Sequence, residues 1–383
     1  MPALDALTII LMLVGFPVLI IGADVLVRGA SAISRALGIS PLVVGLTVVS
    51  FGTSAPELAV SVKAAADEKG SLALGNVIGS NIFNVLLILG LCAVIRPMRV
   101  KLPIVRRDVP LMIIMAFAVW VMGLNGLIST WDGLILVAVL AAYLLRLYIQ
   151  ARRGKFEVAA DEDIPEAPKT FAQVALNIGL VALGVLMLVV SANMLVNGAV
   201  AIAEYFKISE LIIGLTIIAA GTSLPEVAAS GMAAFKKQGD LAVGNVVGSN
   251  LFNIMAVLGI TSVVDPQGIR VPTEALYFDI PVMVAVMVAC FPVFFTGFKI
   301  TRFEGSIFLF YFVAYMLFLV LDAQQHDALQ TYTLVLSTVV IPLTVIALTA
   351  LMVNSIRRQY RRKRLAKMAR QVKVARDLLR VDA

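Results

Sequence analysis

Charged residues are scarce in this sequence. They make up 14% of its 383 residues, whereas 60% of the residues are hydrophobic and the mean hydropathy is +0.97. A soluble domain cannot hide that much apolar side chain, because a protein surface in water needs polar and charged groups. The composition therefore excludes a soluble globular protein and predicts a protein embedded in a membrane.

Cysteine and histidine are nearly absent. Cys92 and Cys290 both lie in apolar stretches, so we expect them to pack inside the protein rather than to form a disulfide. The one histidine, His326, lies in a polar connector, and a single imidazole without partners binds metal weakly. Basic residues are also missing from positions 1–6, so we expect no cleavable signal peptide. We expect no cofactor, and we expect that the chain is not an enzyme.

Long apolar runs, by contrast, recur along the chain. A membrane-spanning helix needs about 20 predominantly apolar residues, which predicts an all-α polytopic membrane protein. The predicted spans lie near 7–30, 41–65, 72–95, 109–125, 131–150, 171–203, 210–235, 241–263, 276–297, 303–322 and 330–355. The predicted parts are a first five-helix repeat (1–150), a cytoplasmic linker (151–170), a second five-helix repeat (171–323), one extra C-terminal transmembrane helix (329–356) and a basic cytoplasmic tail (357–383).

The basic residues predict how these spans are oriented. Of the 31 Lys and Arg residues, sixteen lie in or beside the loops after odd-numbered spans, four beside the loops after even-numbered spans, and eleven beyond Ser355. Loops rich in Lys and Arg stay in the cytoplasm. We therefore expect a multi-pass protein of the inner (cytoplasmic) membrane, with its N-terminus outside and its C-terminus in the cytoplasm.

One segment of the sequence occurs twice. Residues 45–91 recur at 214–260 with a constant offset of 169, no gap, and 25 of 47 positions identical. Spans 1–5 therefore match spans 6–10. Because five is odd, the two halves must cross the membrane in opposite senses, which predicts an inverted 5+5 transmembrane-helix repeat with a site at the midplane.

Each copy carries one acidic residue within an apolar span, Glu57 in the first and Glu226 in the second. Pro56 and Pro225 directly precede them, and proline cannot donate the backbone hydrogen bond that a continuous helix needs. A broken helix at membrane depth is tolerated only where it lines a cavity or is buried in protein. We therefore predict broken helices at the midplane, around a polar site.

Polar side chains surround each predicted break in the same order. These residues are Thr53, Ser54, Ser80 and Asn84 in the first copy, and Thr222, Ser223, Ser249 and Asn253 in the second. Together with the two carboxylates they are hard oxygen donors, which suit Ca²⁺ and also Na⁺. Two carboxylates also balance the charge of one Ca²⁺.

The same residue types allow a structural interpretation. A buried glutamate can anchor a hydrogen bond, although an ionisable group at mid-span is costly and usually functional. Small polar residues can also let helices pack closely, an interpretation that applies most to Asn76, Asn81, Asn245 and Asn250.

Two further charged features are interpreted as structural. Asp24 stands four residues before Arg28 and can pair with it on one helix face, while its repeat counterpart is the neutral Asn193. We interpret Asp24 as an interface charge rather than an ion ligand. The acidic run in 151–170 lacks the residue order of a loop that wraps calcium, so we interpret it as a solvated linker.

The motifs GTSAPE with GNVIGSNIFN, and GTSLPE with GNVVGSNLFN, resemble the two alpha-repeats of the cation/calcium antiporter family, specifically those of prokaryotic sodium/calcium exchangers. The resemblance covers spans 1–10, and two paired motifs in this order are highly specific. It implies an ion cluster where helices 2, 3, 7 and 8 cross.

The resemblance also implies the role of each candidate ligand. Glu57 and Glu226 are the bridging carboxylates of the metal site. The other oxygens come from the side chains of Thr53, Ser54, Thr222, Ser223, Ser80 and Ser249, the carbonyls of Ser50 and Ala219, and the amides of Asn84 and Asn253.

Differences within that family bear on the transported ions. Some members carry Asp where this chain has Asn253, and that acid is associated with K⁺ co-transport, so we expect K⁺ independence. Members coupled to protons typically place Glu where this chain has Gly79 and Gly248, which favours Na⁺ as the driving ion.

The leading hypothesis is electrogenic Na⁺/Ca²⁺ exchange by alternating access, with Ca²⁺ and Na⁺ as the transported ions. A H⁺/Ca²⁺ antiporter that uses the same carboxylates is the alternative. A cation channel is disfavoured, because channel filters usually form between symmetric subunits.

The tail beyond Ser355 is strongly basic, with eleven Lys and Arg residues against two aspartates. Apolar residues at helical spacing predict that it lies on anionic lipid; a short coiled coil and a disordered tail that only anchors orientation are the alternatives. We expect no nucleic-acid partner and a functional monomer.

Overall fold

The computed structural model describes residues 6–152, 171–205, 219–295 and 297–347, together with five positions between 349 and 357. Most of the predicted linker, the start of the predicted seventh span and the basic tail after residue 357 lie outside this part of the chain.

Helices dominate the described residues, because backbone groups in a bilayer must find their hydrogen bonds within the segment. Nine described helices are long and apolar enough to cross a membrane, and a bent pair of helices provides a tenth span. The chain is therefore a polytopic helical membrane protein, as predicted. The helices are α1 Ala6–Ala36, α2 Pro41–Thr53, α3 Ala55–Ala66, α4 Gly70–Ile95, α5 Ile104–Asn125, α6 Thr130–Ala151, α7 Ala172–Ala203, α8 Ala219–Thr222, α9 Leu224–Phe235, α10 Gly239–Val264, α11 Ala275–Phe295, α12 Arg302–Ala323 and α13 Ala328–Ala347.

The two longest helices, α1 and α7, pack against each other in antiparallel directions. A Cβ added to Gly15 of α1 would meet Leu195 of α7, whereas one added to Gly29 would meet Val181. The contact point on α7 therefore shifts toward the N-terminus of α7 as the contact point on α1 shifts toward the C-terminus of α1. Glycine lets these backbones approach closely, which is how helices commonly associate in membranes.

The packing of α4 against α12 is repeated by their counterparts in the other repeat, since α10 packs against α6. Gly90 of α4 faces the carbonyl of Gly305 in α12, and its repeat counterpart Gly259 of α10 faces the carbonyl of Gly133 in α6. A Cβ on Gly133 would lie 2.6 Å from the carbonyl oxygen of Gly259, so the close crossing requires glycine. Each repeat therefore completes the packing of the other.

Two short ribbons tie the helix ends together in the same reciprocal way. Strand β1 (Met98–Arg99), after α4, pairs antiparallel with β4 (Lys299–Ile300), after α11. Strand β2 (Leu127–Ile128), after α5, pairs with β3 (Ile269–Arg270), after α10. In each ribbon, the segment after the third span of one repeat thus pairs with the segment after the fourth span of the other.

Burial separates the centre of the bundle from its edge. α4 and α10 are the most buried of the spans, whereas α13 buries no residue of its most apolar stretch. α13 contacts α12 through polar groups: Tyr332 donates to the carbonyl of Ala314 (2.8 Å) and Tyr311 to the hydroxyl of Thr344 (2.6 Å). The predicted extra helix therefore lies on the outside of the bundle.

Candidate functional site

The helix breaks occur where proline was expected to place them. α2 and α3 meet at Ser54 with a bend of 44°, and Pro56 stands in the first turn of α3. Ser223 has the same non-helical backbone (φ −91°, ψ 5°) between α8 and α9, and Pro225 follows it. The predicted break is confirmed in both repeats, and each break leaves a serine three residues before the glutamate of its own repeat.

The two carboxylates lie in the centre of the bundle. Glu57 is 0% exposed and Glu226 is 1% exposed. The hydroxyl of Ser54 donates to Oε1 of Glu226 (3.2 Å), and the hydroxyl of Ser223 donates to Oε1 of Glu57 (3.4 Å). Each serine therefore orients the carboxylate of the opposite repeat. This arrangement joins the two halves at one site.

Asn84 and Asn253 lie beside this centre, in α4 and α10. Each is the first residue of a π-helical segment, Asn84–Leu89 in one repeat and Asn253–Leu258 in the other. Such widened turns are rare and often occur at functional sites. The amide of Asn84 donates to Oδ1 of Asn250 (3.1 Å), and that of Asn253 donates to Oγ of Ser80 (3.0 Å).

The site contains buried oxygens that have no hydrogen-bond partner in the part of the chain that the structure describes. Most buried polar atoms in proteins are hydrogen bonded, so a cluster of unsatisfied ones indicates a role such as ion binding. Six such oxygens belong to the two repeat motifs: Oε2 of Glu57 and Glu226, Oδ1 of Asn81, Asn84 and Asn253, and Oγ of Ser249. No sulfur or imidazole is among them. Hard oxygens of this kind fit Ca²⁺ and Na⁺ as cargo.

The remaining predicted ligands are placed as follows. Thr53 is buried, and its hydroxyl reaches the carbonyl of Ser50 and Oδ1 of Asn245, both at 3.4 Å. The carbonyl of Ser50 also accepts from the backbone N–H of Ser54 (2.9 Å), so it takes two hydrogen bonds. Thr222 is half-buried at the end of α8.

Ser80 and Ala219 complete the predicted set. The hydroxyl of Ser80 donates to the carbonyl of Asn76 (2.7 Å) while it accepts from Asn253. Ala219 is the first residue of α8. The structure thus brings the polar residues of α2, α3, α4, α9 and α10 into one hydrogen-bonded centre, and whether each of them binds an ion stays a prediction.

The sequence analysis did not identify the hydrogen-bond partners of the motif asparagines Asn76 and Asn245. Asn76 donates to Oγ of Ser61 (3.0 Å), and Asn245 donates to Oγ of Ser230 (2.9 Å). These two bonds are equivalent under the 169-residue offset. The identity of Asn76 with Asn245, and of Ser61 with Ser230, was the signal that could have found them.

Other polar residues fall outside the site. Asp24 pairs with Arg28 on α1 (2.7 Å), as expected for an interface charge. Cys92 and Cys290 are buried free thiols, and the side chain of His326 accepts from the N–H of Ala328. Among the described residues, no group of three or more His, Cys, Asp or Glu side chains could hold a metal ion.

Comparisons with known proteins agree with this geometry. The family model described as sodium/calcium exchanger protein matches residues 7–149 and 176–321. The chain is 39% identical to the putative antiporter CaxA of Alkalimonas amylolytica, over 80% of this chain and 96% of that protein. It is 38% identical to the inner membrane protein YrbG of Escherichia coli, over 67% of this chain and 79% of that protein.

An archaeal exchanger and a solved structure are also similar. The chain is 31% identical to the sodium/calcium exchanger MaX1 of Methanosarcina acetivorans, over 75% of this chain and 91% of that protein. A structure of the sodium-calcium exchanger NCX_Mj aligns with a TM-score of 0.68 and 29% identity, covering 87% of this chain and 99% of that one.

Proposed function

Because the chain belongs to the sodium/calcium exchanger protein family, we propose that it is a secondary antiporter that exchanges Na⁺ for Ca²⁺ by alternating access. The observation that carries the proposal is the reciprocal pair of carboxylates. Glu57 and Glu226 are each oriented by a serine of the other repeat, and each keeps one buried oxygen to which no described residue donates. Two such carboxylates balance the charge of one Ca²⁺ where the dielectric constant is low.

Antiport follows if the two cations compete for the same oxygens. A charged group without a partner is costly inside a membrane, so a cation cannot cross the hydrocarbon core without protein ligands. The carboxylates must likewise be occupied by cations while access to the site switches from one side of the membrane to the other. Ca²⁺ or Na⁺ can occupy them, but not both at once. The protein is a transporter that needs no cofactor, and it would work as a monomer because one chain supplies both halves of the site.

Neutral oxygens extend the site beyond the two carboxylates. The free oxygens of Asn84, Asn253 and Ser249 have no formal charge to be balanced by Ca²⁺. When Na⁺ is bound, two Na⁺ balance the two carboxylates, and these neutral oxygens can hold a further Na⁺. Exchange of more than two Na⁺ for each Ca²⁺ would be electrogenic and would favour Ca²⁺ extrusion. The neutral amide at Asn253 supports independence from K⁺.

The ribbons at the helix ends support the orientation that the basic residues predict. The segments after α4 and α11, which are exits of odd-numbered spans, pair with each other. The segments after α5 and α10, exits of even-numbered spans, form the other ribbon. This pairing brings exits of odd-numbered spans together and exits of even-numbered spans together, as an inverted repeat requires. The basic residues then supply the direction that we propose, with the N-terminus outside and the basic tail in the cytoplasm, against anionic lipid.

One experiment tests the proposal and its alternative. The purified protein is reconstituted into liposomes loaded with Na⁺, which are then diluted into Na⁺-free buffer that contains radiolabelled Ca²⁺. We expect Ca²⁺ uptake that depends on the outward Na⁺ gradient and that resists a protonophore. No described Lys or Arg forms a salt bridge with Glu57 or Glu226, so these carboxylates can also carry protons. Uptake that ignores Na⁺ but follows a pH gradient, and collapses with the protonophore, would establish H⁺/Ca²⁺ antiport instead.

A further inference from the structure

The two amides that begin the π-helical segments of α4 and α10 are held by different partners. Asn84 and Asn253 are repeat counterparts, and both are buried to within 1% of complete burial. Asn84 donates its amide hydrogen to Oδ1 of Asn250 in the other repeat. Asn253 donates its amide hydrogen to the hydroxyl of Ser80 instead. The oxygen of each amide has no protein donor.

This difference departs from the repeat symmetry. If the repeat symmetry held here, Asn253 would donate to Asn81, the counterpart of Asn250. Among the described residues, the oxygen of Asn81 has no hydrogen-bond partner, and neither does the hydroxyl of Ser249, the counterpart of Ser80. Asn250 and Ser80 therefore each hold an amide of the site, whereas Asn81 and Ser249 do not.

The amide of Asn250 contacts a sulfur atom, and so does that of its counterpart Asn81. The amide nitrogen of Asn250 lies 3.5 Å from Sδ of Met112 in α5, and that of Asn81 lies 3.6 Å from Sδ of Met283 in α11; a thioether sulfur can only accept. Both oxygens therefore face away from sulfur, but only that of Asn250 accepts an amide hydrogen, from Asn84, whereas that of Asn81 has no partner among the described residues. A chain of contacts thus runs from Met112 through Asn250 to the amide of Asn84, and it leaves the oxygen of Asn84 free for a cation.

From this asymmetry we infer that Asn250 is a positioning residue: it fixes the amide of Asn84 so that Oδ1 of Asn84 faces the transported cation, a task that Asn81 does not perform for Asn253. The inference rests on the proposed function, because it assigns a cation to the free oxygen. Asn250 acts through Asn84: its oxygen accepts the Asn84 amide hydrogen, and the unsatisfied buried oxygen of the pair is that of Asn84.

A double-mutant cycle tests this role in the full-length purified protein. Radiolabelled Ca²⁺ binding, and its displacement by Na⁺, are measured for the wild type, Asn84→Ala, Asn250→Leu and the double variant. Groups that orient a metal ligand typically change affinity by about 10-fold or more when they are replaced. We expect Asn250→Leu to lower affinity about tenfold for whichever cation Asn84→Ala affects. In the Asn84→Ala background, the same substitution should change that affinity less than about twofold, because coupled residues are not additive.

The repeat provides a matched control. Asn81→Leu, measured alone and in the Asn253→Ala background, should change affinity by the same factor in both, because Asn81 and Asn253 are not bonded. Asn250→Asp keeps the acceptor oxygen and should bind the cation at least as well as the wild type. Where Asn250→Leu is not recovered as a monodisperse protein, Asn250→Ser replaces it, since its hydroxyl is too short to reach Asn84.

The outcomes separate the inference from the proposed function. If the wild type binds neither Ca²⁺ nor Na⁺, the exchanger proposal fails and the inference fails with it. A second case is a wild type that binds both ions while Asn250→Leu lowers cation affinity by the same factor in the wild-type and the Asn84→Ala backgrounds. In that case Asn250 acts on the fold in general, and the inference alone is overturned. An equal loss in Asn250→Asp and Asn250→Leu would overturn it as well.

Discussion

The connectors α3–α4 and α9–α10 occupy equivalent positions in the two repeats, yet they make different contacts. Both turn through one residue with a left-handed backbone, Glu68 (φ 59°) in the first and Lys237 (φ 65°) in the second. The backbone of the turn is therefore shared. What differs is the set of side chains that hold it in place.

Polar contacts with the first repeat hold the second connector. Lys236 forms an ion pair with Asp24 of α1. The side-chain oxygen of Gln238 accepts from the hydroxyl of Ser31, also on α1 (2.6 Å). Beyond the turn, Asp240 pairs with Lys101 (2.6 Å).

None of these three contacts can form at the repeat-related position. The residues equivalent to Lys236, Gln238 and Asp240 are Asp67, Lys69 and Ser71, and those equivalent to Asp24, Ser31 and Lys101 are Asn193, Val200 and Arg270. The repeats thus share most of their motif residues where the ion is proposed to bind and differ in the polar contacts of their connectors. We conclude that similar cores serve the cation, while the surface of each repeat distinguishes the two sides of the membrane.

The strongest test of the shared core is the loss of either carboxylate. Removing one member of a buried charged set costs about 3 kcal/mol, or roughly 100-fold in affinity. We expect Glu57→Gln and Glu226→Gln to abolish measurable Ca²⁺ transport in proteoliposomes, and to do so equally. Glu68→Gln removes the same charge from the exposed connector and should leave transport unchanged. Normal uptake by either site variant at matched reconstitution would refute the assignment.

A smaller effect is expected from a charge at one amide of the site. An added carboxylate within several Å of a bound cation contributes about 1–4 kcal/mol at an effective dielectric constant near 20. Asn253→Asp should therefore raise affinity for a further cation or proton about tenfold or more, and so should Asn84→Asp if the repeats contribute alike. In the wild type, replacing K⁺ by choline should not affect Ca²⁺ uptake. A requirement for K⁺ on the Ca²⁺ side would show that Asn253 has been misinterpreted.

The contrast between the connectors predicts a difference in local opening. The Lys236–Asp24 pair is partly buried, with side-chain exposures of 23% and 26%. Its loss should cost about 1 kcal/mol, or roughly fivefold in the opening equilibrium. Lys236→Met should therefore speed amide hydrogen exchange in residues 236–240 about fivefold and leave residues 67–71 unchanged. Asp67→Asn is the matched control. If the amides of residues 67–71 and 236–240 exchange equally slowly in the wild type, the proposed difference in stability between the two connectors is wrong.

The smallest effect on transport is expected from the tail. No motif residue lies in residues 357–383, and a basic segment of this kind typically binds anionic lipid. Deletion of residues 357–383 should keep exchange within about twofold, since a lipid anchor is not a part of the site. It should weaken association with anionic vesicles or lower insertion fidelity. Loss of exchange by correctly inserted truncated protein would assign the tail a regulatory role.

Much of this architecture could be predicted from the sequence, because its signals are local or repeated. The spans follow from apolar length, and the break at Ser54 follows from Pro56. The pairing of Glu57 with Glu226 follows from the 169-residue offset. These features need no knowledge of how distant segments meet.

Other features depend on tertiary contacts or on small changes of helical period. The order of residues along the chain does not show that Thr53 bonds to Asn245 or that Ser54 bonds to Glu226, since both partners lie in the other repeat. The π-helical segment Asn84–Leu89 is six residues long, too short for its period to differ visibly from that of an α-helix in the sequence pattern. Such details arise only when the two repeats pack together.

The central claim is that Ca²⁺ and Na⁺ compete for one site made by both repeats. The most direct measurement is equilibrium binding of radiolabelled Ca²⁺ to the purified protein as Na⁺ replaces K⁺ at constant ionic strength. The account predicts that Na⁺ displaces Ca²⁺ steeply, with more than one Na⁺ for each Ca²⁺, and that Glu57→Gln and Glu226→Gln each abolish the bound Ca²⁺. Ca²⁺ that stays bound at saturating Na⁺, or that persists when either glutamate is replaced, would contradict it.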